Sequence, residues 1–84
     1  MSEKPLNLRC LNDLPMGGSG VIAELGHNEA LVSRMTAVGL APGRTVQMMR
    51  RVRFGNTLQV RVGNTLIALR AGEAKQVRLE STTG

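Results

Sequence analysis

Aromatic residues are almost missing from this chain: Phe54 stands alone, with no Trp or Tyr. Modules that grip single-stranded nucleic acid stack bases on exposed rings, so this lack weakens that function class without removing it. Cysteine is just as scarce. Cys10 has no second thiol to pair with, which excludes an internal disulfide and suits a reducing compartment. Histidine occurs once, at His27, so no Ser-His-acid or Cys-His-acid set can be assembled. The six carboxylates fall in no spaced pair suited to acid–base chemistry. These absences point to a protein that binds a partner and away from an enzyme. No apolar run approaches the length of a membrane-spanning helix. The polar start Met1-Ser2-Glu3-Lys4-Pro5 lacks the apolar stretch of a secretory signal, and a cytoplasmic location is the expectation.

What is present fits one small domain over residues 1–84, with 42% hydrophobic residues to build a modest core. The charge is basic, 11 Lys plus Arg against 6 Asp plus Glu. Such a surface attracts phosphates, anionic lipid headgroups or acidic protein faces, and composition does not choose among them.

Along the chain, Leu8, Leu11 and Leu14 are apolar anchors ahead of the break Pro15-Met16-Gly17-Gly18-Ser19-Gly20. The glycines mark a tight reversal. No Gly-Lys-Ser/Thr follows to make it a phosphate cradle. Val21 to Leu25 reads as a short strand closed by Gly26. Asn28 can cap a helix with Glu29 in its first turn, and Leu31, Met35 and Val38 recur at helical spacing as one apolar stripe. Gly39-Leu40-Ala41-Pro42-Gly43 is an explicit stop: a glycine for the left-handed position, a leucine to fold back, and a proline that forbids continuation.

After Gly43 the period becomes two. Val46, Met48 and Val52 share one face, with Thr45, Gln47, Arg51 and Arg53 on the other. Arg50 breaks the alternation, and a bulge near Met49-Arg50 would restore it. Gly-Asn-Thr-Leu then occurs at 55–58 and again at 63–66. A two-residue turn at Gly63-Asn64 pairs Val62 with Thr65, Val60 with Ile67 and Leu58 with Leu69, all on one face. A three-residue loop Phe54-Gly55-Asn56 would pair Val52 with Leu58. Ala71 to Ala74 reads as a turn, Val77 and Leu79 as a closing strand, and 81–84 as a frayed tail. The fold class is therefore mainly β: a small, partly open SH3-like barrel of about five strands with one short inserted α-helix.

Two clusters could carry function. His27 with Glu24 and Glu29 could contribute part of a shell for a divalent ion such as zinc or iron, completed by a second copy in a metal-bridged dimer. Otherwise His27 is a solvated residue before a helix and the protein is a monomer. The run Arg50-Arg51-Val52-Arg53 is either an electrostatic patch for an acidic partner or membrane surface, or the solvated face of a curved strand. The methionines read as flexible fillers of the core or as part of a partner surface, and no recognition helix is free to read duplex nucleic acid.

The helix stripe running into Val38-Gly39-Leu40-Ala41-Pro42-Gly43, the Gly55-Asn56 loop, the Val60/Ile67 hairpin and Ile67-Ala68-Leu69-Arg70 with Glu73-Ala74 following resemble the FeoA family over residues 8–80. These are small cytosolic proteins of bacterial ferrous-iron uptake. The resemblance implies an SH3-like barrel with no required cofactor. It also implies action through the cytosolic region of FeoB, a membrane transporter with a G-protein domain, and so only peripheral contact with the membrane. Similar barrels close metal-dependent repressors of the diphtheria-toxin-repressor type, so a metal-bridged sensor module and a basic nucleic-acid-binding barrel are the alternatives, although no nucleic acid is the expectation. Family members often place prolines around the loop after the first long strand, where this chain has Arg53-Phe54-Gly55-Asn56-Thr57. The loop is expected to be freer and more basic, with Arg50, Arg51, Arg53, Phe54, Gly55 and Asn56 as the partner-binding set. Phe54 is either an exposed anchor at the loop tip or a cover for the open barrel end.

Overall fold

The structure, a computed structural model, describes residues 9–52, 54 and 56–80. Five antiparallel strands form one sheet in the order β4-β3-β2-β1-β5. They are β1 (Ser19–Glu24), β2 (Thr45–Val52), β3 (Thr57–Val62), β4 (Thr65–Arg70) and the short β5 (Arg78–Leu79). Helix α1 (Glu29–Ala37) fills the β1–β2 connection, and one turn of helix, α2 (Ala71–Ala74), stands where a simple turn was expected. A 3-10 turn at Leu11–Asp13 precedes β1. The sheet curls around a core that includes Leu11, Ile22, Met35, Leu40, Met48 and Val60, each no more than 1% exposed.

Helix α1 begins and ends as its sequence dictates. The Asn28 side chain accepts from the Leu31 N–H at 3.0 Å, satisfying a donor that the first turn leaves open. At the other end Gly39 takes a φ of 111°, the Leu40 N–H reaches the Met35 carbonyl at 3.0 Å and the Gly39 N–H reaches that of Thr36 at 3.1 Å. This pair of bonds is a Schellman ending, and it swings Leu40 fully into the core. The apolar stripe is narrower than its spacing suggests. Met35 is buried and Leu31 and Val32 pack partly against the core, but Val38 is 46% exposed because it is the capping residue where the helical path already stops.

The hairpin β3–β4 has the expected register throughout, from Val62↔Thr65 to Leu58↔Leu69. Gly63 takes a φ of 61°, as the first position of a II′ turn demands. The bulge in β2 is also present: Met48 faces Val60 and Arg50 faces Gln59, leaving Met49 as the extra residue. Its consequence differs from the expectation. Beyond it Arg51 lies opposite Leu58 and Val52 opposite Thr57, so four residues connect β2 to β3 and the predicted Val52–Leu58 pair does not form. One inserted residue exchanges the faces of everything after it. Val52 therefore turns outward, 37% exposed, and Arg51 takes the core side. The expected tail at 81–84 and the anchor Leu8 lie outside the described residues.

Candidate functional site

The β2–β3 connection is held at its base from two directions. Arg51, on the core side of β2, extends over the 3-10 turn. Its guanidinium donates to the Asn12 carbonyl, to Asn12 Oδ1 at 3.2 Å and to the Leu14 carbonyl at 3.1 Å. The 3-10 turn has few internal partners for its carbonyls, and Arg51 supplies the missing donors. On the far side Asn56 adopts a left-handed φ of 52°, and its carbonyl accepts from the Ala71 N–H at 2.8 Å, tying the loop to the start of α2. Between these ties Phe54 projects with 91% of its surface exposed. It does not cover the barrel end. Arg50 is exposed on the outer face of β2. Of the expected partner-binding set, Phe54 and Asn56 lie in the β2–β3 connection and are exposed, Arg50 is exposed within β2 opposite Gln59, and Arg51 has internal acceptors. Arg53 and Gly55 lie outside the described residues.

From Ala30 to Gly72 the sequence contains arginines but no aspartate or glutamate. The described carboxylates lie outside that stretch: Glu24 on β1, Glu29 on α1, Asp13 in the 3-10 turn, Glu73 on α2 and Glu80 just after β5. Glu73 accepts from the Arg70 N–H at 3.0 Å and pairs with Arg34 across to α1. These contacts, the backbone bond first, hold its carboxyl below the usual range.

The trio His27, Glu24 and Glu29 does not assemble. Glu24 ends β1 opposite Arg78, whereas His27 and Glu29 are exposed before and within the first turn of α1. Among the described residues no three His, Cys, Asp or Glu side chains converge as a metal shell. Cys10 donates its thiol to Asp13 Oδ2 at 3.3 Å. Burial, then Asp13 through its hydrogen bond and charge, push the thiol above its ordinary pKa, so it is a poor nucleophile and a poor ligand.

Sequence reasoning missed one surface. A groove of about 380 Å³ runs between α1 and β4, lined by Arg34, Met35, Val38, Leu66, Ile67 and Leu69 among others. β4 is an edge strand of the sheet. With Val62 and Thr65 bracketing a two-residue turn, the N–H and C=O groups of Leu66 and Ala68 point to that open edge. Leu66 is 60% exposed. Its position opposite Arg61 on the outer face was the available signal; Val38 had none, because its spacing is that of a core residue.

A curled five-stranded antiparallel sheet with one inserted helix is the architecture of an SH3-like barrel. The comparisons with known proteins agree. The FeoA domain model matches residues 9–81, and the chain belongs to the FeoA family. Zinc-bound FeoA of Stenotrophomonas maltophilia, an SH3-domain protein put forward as a bacterial ferrous iron transport activating factor, shares 35% identity. It covers 84% of this chain and 88% of its own, with a TM-score of 0.73. FeoA from Chlorobium tepidum superposes with a TM-score of 0.80 at 21% identity, over 89% of this chain and 71% of that one. A manganese-dependent transcriptional repressor bound to manganese reaches a TM-score of 0.82 at 15% identity. This chain matches only 39% of that protein's length, and the likeness is one of fold. A search of the curated proteins finds no match. No helix among the described residues is long and apolar enough to cross a membrane.

Proposed function

We propose that this protein is a cytoplasmic, non-enzymatic accessory of bacterial ferrous-iron uptake that acts by binding the cytosolic region of the FeoB transporter. The observation that carries this reading is the match of the FeoA domain over residues 9–81, which takes in every described residue. The loop geometry supports it. Phe54 is a large apolar side chain held out in water on a connection whose two ends are tied at Arg51 and Asn56, the kind of side chain that anchors a partner. Arg50, Arg51, Arg53, Phe54, Gly55 and Asn56 form the proposed contact, with Phe54 as anchor and Arg50 and Arg53 as steering charges. Ferrous iron on this reading is the cargo of the transporter.

The test is capture of the FeoB cytosolic region by the purified protein. Phe54→Ala is expected to weaken capture at least tenfold, as loss of a buried anchor does, and Arg50→Glu with Arg53→Glu to slow association. Full iron uptake in a strain lacking this protein would sink the proposal. If Leu66→Arg abolishes capture and Phe54→Ala leaves it intact, the partner sits in the α1–β4 groove.

A divalent ion such as zinc or iron would use His27 with Glu24 or Glu29 and ligands from a second copy, since one chain does not bring three together. Zinc-dependent dimers lost in His27→Ala are the expected observation in sedimentation. The metal-sensor alternative needs ligand sets that one chain lacks, and the nucleic-acid alternative has one aromatic ring to stack with.

A further inference from the structure

The outer face of β2, β3 and β4 is set by the pairing register. It forms three cross-strand rows: Gln47, Arg61 and Leu66; Arg50, Gln59 and Ala68; Val52, Thr57 and Arg70. Each row carries one arginine, and each arginine stands on a different strand. No position on the face is acidic. Arg50, Arg61 and Arg70 are all exposed, and among the described residues Arg61 donates a long bond of 3.4 Å to Gln47 Oε1. Arg70 lies nearest a carboxylate, Glu73, which takes the Arg70 N–H and Arg34 and also feels the Arg70 charge, so of the three cations Arg70 is the one partly offset. Strand and residue spacings put the three side-chain origins about 8 to 14 Å apart in a triangle. Such a triangle can meet a flat anionic surface at three points together.

The residues between the cations decide what kind of surface. Leu66 is 60% and Val52 37% exposed on the same face. A phosphate backbone in water gains little from exposed leucine and valine, and the face has no ring for stacking bases. At a bilayer interface the same mixture is favourable: arginines reach headgroup phosphates while the aliphatic side chains enter the headgroup–acyl boundary. We infer that the β2–β3–β4 outer face docks directly on anionic phospholipid bilayers, through Arg50, Arg61 and Arg70 with Leu66 and Val52 between them. The inference does not depend on FeoB, since it follows from this chain's own charge distribution.

The test is co-sedimentation of the full chain with vesicles of phosphatidylcholine alone or mixed with an equal part of phosphatidylglycerol, at low and physiological salt. Binding is expected only to the mixed vesicles and is expected to fall as salt rises. Each of Arg50→Gln, Arg61→Gln and Arg70→Gln should lower the partition coefficient about fivefold. The triple variant should lose binding, whereas the charge-matched triple Arg9→Gln, Lys75→Gln and Arg78→Gln should keep most of it. Equal binding to both vesicle types, no binding at low salt, or equal losses in the two triple variants would each overturn the proposal. So would tighter binding to RNA or duplex DNA through the same three arginines at the same salt. Should the face variant fail to fold by circular dichroism, the wild-type preference for phosphatidylglycerol and its salt dependence still decide the matter.

Discussion

The tetrapeptide Gly-Asn-Thr-Leu occurs at 55–58 and at 63–66, and the two copies do different work. In the second, Gly63 carries the positive φ of a tight turn. In the first, Asn56 takes the left-handed conformation at the end of a four-residue connection. The leucines diverge further: Leu58 is 2% exposed and Leu66 60%. Leu58 faces the core between Arg51 and Leu69, whereas Leu66 lies on the outer face beside Arg61. Four identical residues thus yield a core position in one place and a surface position in the other. What assigns the face is the strand partner, and the partner is assigned by the bulge at Met49 on one side and by the turn at Gly63 on the other.

Truncating the two leucines should give the largest contrast. Leu58→Ala is expected to cost about 3 kcal/mol in urea unfolding, from lost burial and the cavity left behind. Leu66→Ala should stay within about 0.5 kcal/mol. Equal costs would break the register assignment. Neighbouring arginines sharpen the same point. Arg51→Ala removes donors from the carbonyls of Asn12 and Leu14 and should cost about 2 kcal/mol, while Arg50→Ala, on the outer face, should change stability by no more than about 0.5 kcal/mol. The turns come next. Gly63→Ala places a Cβ at positive φ, with Arg44 Nη2 at 3.4 Å, and should cost about 1 to 2 kcal/mol; Asn56→Gly should be nearly neutral.

The smallest effect concerns the end of β4. Glu73 accepts from the Arg70 N–H and caps α2, and its carboxyl is depressed below its ordinary value of 4.5. A depressed carboxyl contributes stability that is present above the unfolded pKa and is lost as pH falls through the folded one. The difference between wild type and Glu73→Gln should therefore be about 1 kcal/mol or less near neutrality and should vanish as pH drops below 4.5. Arg34 adds little, since it is well exposed and screened by solvent.

Most of the barrel could be read from local rules. The Asn28 cap, the Gly39-Leu40 ending and the Gly63-Asn64 register each rest on residues with a local conformational preference, and the Met49 bulge on the break that Arg50 makes in the alternation. What could not be read is what depends on a distant partner. Nothing near Arg51 in sequence announces that its guanidinium belongs to the carbonyls of Asn12 and Leu14. The length of the β2–β3 connection needed the pairing on both sides of the bulge, and a three-residue loop satisfied the apolar pattern equally well. α2 is a single turn, too short for a periodic signal. Of the exposed features, Arg50 was legible as a break in the alternation, Phe54 was left open between an exposed tip and a cover for the barrel end, and the α1–β4 groove was not legible, because it exists only between two elements.

The seam along β5 bears on the order of assembly. Cys10 bridges Arg78, the Leu11 N–H reaches the Val77 carbonyl and the Leu79 N–H reaches that of Arg9, so this edge joins the two extremities of the described chain. A contact of such long sequence separation carries the largest loop-closure entropy in the molecule, whereas the β3–β4 hairpin closes over two residues. The hairpin is then the natural nucleus and the seam the last event. Mutations in it, such as Val77→Ala, should accelerate unfolding and leave the folding rate nearly unchanged.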